Sequence, residues 1–262
     1  MKHVLLTLFT GVILFSCSSD KKETEAAKNS DWTNQHLKGK VKSIEETSYT
    51  PDSTGKIDAM DSCCIDMQQF DDKGYMQSTQ SKDSKGTVKI ETTVTHYEGG
   101  QVKEYANSAG GKKTGVFSIE INKDGKYSGA RNIDSTGKLA SYYTDLTEDE
   151  YGSVTAGTEH NPDSSVKSSF AAEYNKGLQI ATTAKDSSGK VTYTFKAELN
   201  DKNDISKVTT TTITKDSTTT KVITYKYDSY DTDGNWTQRT AYDEKGKATK
   251  VVKRTYTYYK KD

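Results

Sequence analysis

Few residues of this 262-residue chain stand in arrangements that could do chemistry. Cys63 and Cys64 are adjacent, so on a strand their side chains point to opposite faces and do not readily bridge each other. No C-x-x-C pair supports a zinc site. His36, His96 and His160 stand alone, without an H-E-x-x-H or a Cys–His spacing. Asp228, Asp231, Asp233 and Asn235, grouped around Gly234, invite calcium. An EF-hand loop with Gly234 in its sixth place needs Asp or Asn at 229 and Glu at 240, where Ser229 and Thr240 stand. These carboxylates are therefore read as turn formers, and no metal or cofactor is expected. No G-x-S-x-G elbow, P-loop or dinucleotide fingerprint occurs, so no catalytic residue is assigned and no enzyme is expected. The remaining candidates are aromatic. Tyr193, Phe195 and Trp236 could face a ligand, and Tyr142, Tyr143 and Tyr242 could add a sugar-stacking surface. Aromatics on strands also fill cores, and here they are the main core material available.

Cys17 has the clearest chemical assignment. Lys2 gives a basic start, and the apolar run from Val4 to Phe15 is too short for a bilayer that takes ~20 helical residues. Leu14-Phe15-Ser16-Cys17 resembles a lipobox, which implies a thioether lipid on Cys17, cleavage before it, and acylation of the new amine. Several acyl chains, at ~0.8 kcal/mol per buried methylene, anchor stably where one would not. Residues 1–17 are thus assigned as a lipoprotein signal ending in the lipidated cysteine. Residues 18–31 are polar, small or charged and are read as a flexible tether. Ser18-Ser19-Asp20-Lys21-Lys22-Glu23 resembles the acidic signal that sends some Bacteroidetes lipoproteins to the cell surface. The membrane, reached through the lipid on Cys17, is the first expected partner. The expected location is the outer membrane, facing periplasm or cell surface.

Residues 32–262 read as one domain made of strands and turns. Turn sequences recur about every 12–14 residues, the spacing of an all-β meander. They include Asp71-Asp72-Lys73-Gly74, Asp134-Ser135-Thr136-Gly137, Asp186-Ser187-Ser188-Gly189 and Asp243-Glu244-Lys245-Gly246. Between them, strands end on apolar residues at Phe70, Tyr97, Ile121, Leu146, Tyr174, Leu199, Tyr227 and Tyr258, a period of roughly 27 residues. The alternation is clearest where Val191, Tyr193, Phe195, Ala197 and Leu199 should point inward and Thr192, Thr194, Lys196 and Glu198 outward. Slipping that register by one would bury two charges. A hydrophobic fraction of 31% is low for a globular chain and suits a sheet with one covered face and one wet one. The expected fold is an antiparallel meander of about 16 strands, built from hairpin repeats and curled upon its aromatic face, because flat open sheets rarely exceed ~10 strands.

The stretch Tyr227-Asp228 to Asp233-Gly234-Asn235-Trp236-Thr237 resembles the YD (RHS-type) repeat, and Phe70-Asp71-Asp72-Lys73-Gly74 is a weaker copy. Leu37-Lys38-Gly39-Lys40-Val41-Lys42 resembles the opening of Bacteroidetes lipoproteins that carry such repeats. The resemblance spans roughly residues 37–260 and implies a β-sheet fold but no enzyme. Asp52-Ser53-Thr54, Asp134-Ser135-Thr136 and Asp216-Ser217-Thr218 resemble a short O-glycosylation motif of secreted Bacteroidetes proteins. With 37 basic and 37 acidic residues the chain offers no electrostatic argument for nucleic acid. The expected function is a non-catalytic, membrane-anchored module that binds or scaffolds an envelope protein or glycan. The alternative is a carrier holding an apolar or glycan ligand in the concave face of the sheet. A scaffold would have its aromatic face fully packed; a carrier would leave it unfilled.

Overall fold

The computed structural model describes residues 30–52, 56–97 and 100–260. Residues 1–17 and most of the tether, with the Cys17 assignment, lie outside the described residues. A short helix, α1 (Asp31–Asn34), precedes sixteen strands. They are β1 (Val41–Pro51), β2 (Ile57–Phe70), β3 (Met76–Asp83), β4 (Val88–His96), β5 (Val102–Ala109), β6 (Lys112–Ile121), β7 (Tyr127–Asp134) and β8 (Leu139–Glu148), then β9 (Val154–His160), β10 (Val166–Asn175), β11 (Leu178–Asp186), β12 (Val191–Leu199), β13 (Ile205–Ile213), β14 (Thr218–Tyr230), β15 (Trp236–Tyr242) and β16 (Ala248–Tyr258). Each pairs antiparallel with the next in sequence, and β1 pairs with β16. The all-β antiparallel meander is as expected from the turn spacing.

The expectation of a sheet curled upon its aromatic face is corrected: the sheet is a closed 16-stranded barrel. Ile44 faces Tyr256, Glu46 faces Arg254 and Ser48 faces Val252 across the seam. Closure pairs the backbone N–H and C=O groups that edge strands would otherwise leave open to another chain.

The turns form for a local reason. The side-chain oxygen of the first turn residue accepts two backbone N–H groups, two and four positions on, so the loop's donors are met from inside the turn. Asp71 does this for Lys73 and Tyr75, Asp186 for Ser188 and Lys190, Asp231 for Asp233 and Asn235, and Asp243 for Lys245 and Lys247. Asp231, one of the residues that invited calcium, is thus engaged by its own turn.

Strand alternation assigns inner and outer faces. Tyr193, Phe195 and Ala197 lie opposite Thr212, Thr210 and Val208, in register with the wall residues Tyr227 and Arg239 further round. Thr194, Lys196 and Glu198 take the outer face, where Lys207 Nζ meets Glu198 at 3.0 Å. Arg131 and Glu120 make another outer pair at 2.9 Å. A membrane-spanning barrel carries an outward apolar band ~25 Å tall. On β12 and β13 the outer face instead carries Thr194, Lys196, Glu198, Lys207, Thr209 and Thr211.

The two ends differ. A ring of 16 strands is too wide for side chains to fill throughout. The apolar core gathers at the end where β1 begins: Trp32, Val41, Ile44, Phe70, Met76, Val94, Val102, Ile119, Tyr127, Ala130 and Val154 form one cluster. That end is the floor. The opposite rim carries exposed Ile57, Met60, Ile90, Leu139 and Val166. Ser30 and Asp31, assigned to the tether by composition, are buried in the floor.

Candidate functional site

The floor is made by the strap of residues 30–41, which crosses the barrel end and is pinned to separate turns. Ser30 caps α1 by accepting the Thr33 N–H. Trp32 donates its indole N–H to the Val41 carbonyl at 2.8 Å and its backbone N–H to the Gly74 carbonyl at 3.3 Å. The Asp31 carboxylate accepts the Met76 N–H at 2.6 Å. His36 lies between the carbonyls of Asn203 and Asn175, at 3.1 and 3.2 Å from its two ring nitrogens. Asn235 accepts the Lys38 N–H at 2.8 Å and donates to the Lys38 carbonyl at 2.9 Å, as a strand would. The Asp-Gly-Asn-Trp motif, the most distinctive stretch of the sequence, is therefore a clamp on the strap.

The strand-end tyrosines have a related role. The hydroxyls of Tyr97, Tyr174, Tyr227, Tyr256 and Tyr259 donate to the carbonyls of Ile119, Val154, Ile205, Trp236 and Phe70. Each bond joins a strand end to another strand's floor end. A buried tyrosine needs such a partner, which gives the recurrent aromatic a physical cause.

Above this floor lies a cavity of about 640 Å³, within the ~300–1,000 Å³ range of small-molecule sites. Its base includes Gln35, His36, Leu178 and Ile205. One wall carries Tyr227, Trp236, Arg239 and Arg254 from β14 to β16; the wall across the ring carries Tyr105, Phe117, Asn132 and Tyr143 from β5 to β8. Arg254 Nε donates to Glu46 at 2.8 Å, and its guanidinium lies 3.9 Å from the Trp236 ring centre. The Arg239 guanidinium lies 4.6 Å from the same ring and 4.8 Å from Tyr225. Two cations thus share the indole by cation–π contact.

Burial works to raise the Glu46 carboxyl, but the charges of Arg254, Arg239 and Lys250, with the Arg254 hydrogen bond, hold it below its ordinary value. Burial pushes the Tyr105 hydroxyl well above the ordinary tyrosine range, so it stays a neutral donor. Burial raises the Tyr143 hydroxyl too, reinforced by Glu159. In the floor, burial lifts the Asp31 carboxyl to about 7. Among the described residues no group of three or more His, Cys, Asp or Glu could hold a metal ion.

Of the residues named from sequence, Trp236, Tyr143 and His36 line this cavity, while Tyr193 and Phe195 stand on the same inner wall nearer the rim. Cys63 lies in β2 opposite Asp83, at an irregular stretch of the strand. Glu46, Arg239 and Arg254 were not singled out by sequence. They carry no motif, and the only hint was the inward parity of their strands.

No family model matches the chain, and no curated protein matches it. Among solved structures it is similar to a porin-like protein from Bacteroides uniformis, with a TM-score of 0.54 and 14% identity over 83% of this chain and 96% of that one. A porin-like protein from Bacteroides vulgatus matches with a TM-score of 0.36 and 10% identity over 84% of this chain and 100% of the other. A chain of the Photorhabdus luminescens Tc holotoxin pore matches with a TM-score of 0.32 and 14% identity, over 79% of this chain but 11% of its own length. The first likeness supports the all-β barrel fold. Among the described residues, no helix is long and apolar enough to cross a membrane.

Proposed function

We propose that this protein is a lipid-anchored, extracytoplasmic β-barrel that binds a small ligand in its lumen without catalysis. The observation that carries this reading is the unfilled cavity of about 640 Å³ above a packed floor. It favours the carrier over the scaffold, because a scaffold would have its inner face filled. The packed end argues for a cup and against a through-channel. The polar outer face of β12 and β13 argues that the barrel stands in water beside the bilayer, with lipid on Cys17 supplying attachment. An envelope location accords with the porin-like neighbour and with the signal-like start of the chain. Native mass spectrometry of the protein purified from its own host should show acyl mass at the Cys17 amino terminus and a ligand released on unfolding. Protein that carries no ligand, and gains none from a host extract, would overturn the carrier reading; an unmodified Cys17 would overturn the anchor.

A further inference from the structure

We infer that the lumen takes an amphipathic organic carboxylate, with its acid group on Arg239 and its apolar body along Phe117, Tyr143 and Leu178. The inference rests on the lumen-binding reading above and narrows it to one ligand class. Arg254 is engaged by Glu46 at 2.8 Å, whereas among the described ion pairs none holds Arg239. The Tyr227 oxygen takes one hydrogen bond from the Arg239 guanidinium, but Nε is buried and has no acceptor within the protein. The nearby acid on the floor side, Asp204, accepts the Tyr230 hydroxyl at 3.0 Å and forms no ion pair with Arg239. Asp66, beyond Glu46, accepts the Ser81 hydroxyl. The Tyr105 hydroxyl, on the far wall, is likewise buried without an acceptor in the protein. Arg239 Nε can only donate, and the Tyr105 hydroxyl across the ring can donate as well, so an acceptor is the ligand group that meets either.

The shape of the site selects among acceptors. A guanidinium is a planar fork that matches a carboxylate with two parallel hydrogen bonds. Arg239 lines the cavity, and its guanidinium is flanked by the Trp236 and Tyr225 rings at 4.6 and 4.8 Å. A charge pair away from bulk water is stronger than the same pair in solution. Phe117 and Tyr143 meet edge to face with ring centres 5.7 Å apart, and with Leu178 they offer the apolar surface that a small inorganic anion would not use. Asn132 donates to Ser141 at 2.9 Å, and Asn107 accepts the Thr92 hydroxyl at 2.8 Å.

The test uses three probes with one ten-carbon body: decanoate, decanol and decyltrimethylammonium, titrated calorimetrically into the full barrel at pH 8. Decanoate should bind at least about tenfold tighter than decanol, the scale of one charge-assisted hydrogen bond, and the ammonium should bind weakest. In Arg239→Gln that preference should vanish while decanol binding is unchanged. If Arg239→Gln does not fold, as judged by circular dichroism, Arg239→Lys is read in its place; it keeps the charge, loses the fork, and should weaken decanoate severalfold with decanol unchanged. Decanol binding as tightly as decanoate would overturn the carboxylate class and leave lumen binding intact. Decanoate binding unaltered in the folded Arg239 variant would overturn Arg239 as its site. If no probe binds, this inference is overturned, and lumen binding then rests on the native mass measurement alone.

Discussion

The floor and the rim of the barrel are made of the same turns and behave as different materials. The turn at Gly74 and the turn at Gly246 share an Asp side chain accepting two N–H groups, a Gly N–H returning to that Asp carbonyl, and a positive φ at the glycine of +91° and +74°. A Cβ on Gly246 would meet nothing within 4 Å, whereas a Cβ on Gly74 would lie 2.6 Å from the Trp32 ring. Asn34 closes on Gly177 and Tyr75 on Gly100 in the same way. The difference teaches that the repeat supplies turns and the strap turns one end of them into a core. Without the strap, the floor would be a second rim.

That contrast can be broken most directly at its centre. Trp32→Ala removes the ring that the floor turns pack upon and should destabilise the barrel by ~3–5 kcal/mol, as for other buried Trp truncations. Leu139→Ala at the rim, where the side chain is 37% exposed, should fall within ~0.5 kcal/mol of neutral. Urea denaturation of both variants decides it; equal losses would mean that floor and rim are equivalent.

The next largest effect is a pH dependence confined to the floor. Burial lifts the folded Asp31 carboxyl to about 7 from an ordinary 3.8. The folded state then keeps a proton that the unfolded chain has released, so the contribution is full below pH ~4 and is lost as the pH rises through 7. Between pH 5 and pH 8 stability should fall by ~2–3 kcal/mol on this account. Asp31→Asn keeps an oxygen for the Met76 amide and should flatten that slope. At the rim the sign reverses: the Lys89 hydrogen bond and the turn amides hold Asp83 at about 2, so what it contributes disappears only as the pH falls toward that value. A wild-type curve flat from pH 5 to pH 8 would remove Asp31 from the floor's energetics.

The smallest effect sharpens the comparison. Gly246→Ala should cost ~1 kcal/mol, for an alanine held at positive φ. Gly74→Ala carries the same backbone cost and a clash with Trp32 besides, adding ~1–3 kcal/mol of overpacking. Thermal melts of the pair should therefore differ although the turns match, and identical melts would show that Trp32 yields freely.

Much of the fold is legible in the residues alone. The period-two run from Val191 to Leu199 assigns inner and outer faces that the register with β13 bears out. The Asp-x-x-Gly turns mark about half of the strand boundaries, because such a turn is made by its own side chain and its own amides. Those are interactions among residues two to four apart, and a chain states them outright. The closure of β1 on β16 is not legible. It joins residues about 200 positions apart, such as Glu46 and Arg254, through backbone bonds that any residue can make. Nor is the strap: Asp31 and Trp32 sit beside a polar segment, and a helix of four residues leaves no periodic trace. The candidate site shows the same division. Trp236 stands out by type, but Glu46, Arg239 and Arg254 are ordinary charges on alternating strands. Only the ring brings them around one indole, because the pleat decides which face a residue takes and closure decides which residues share the lumen.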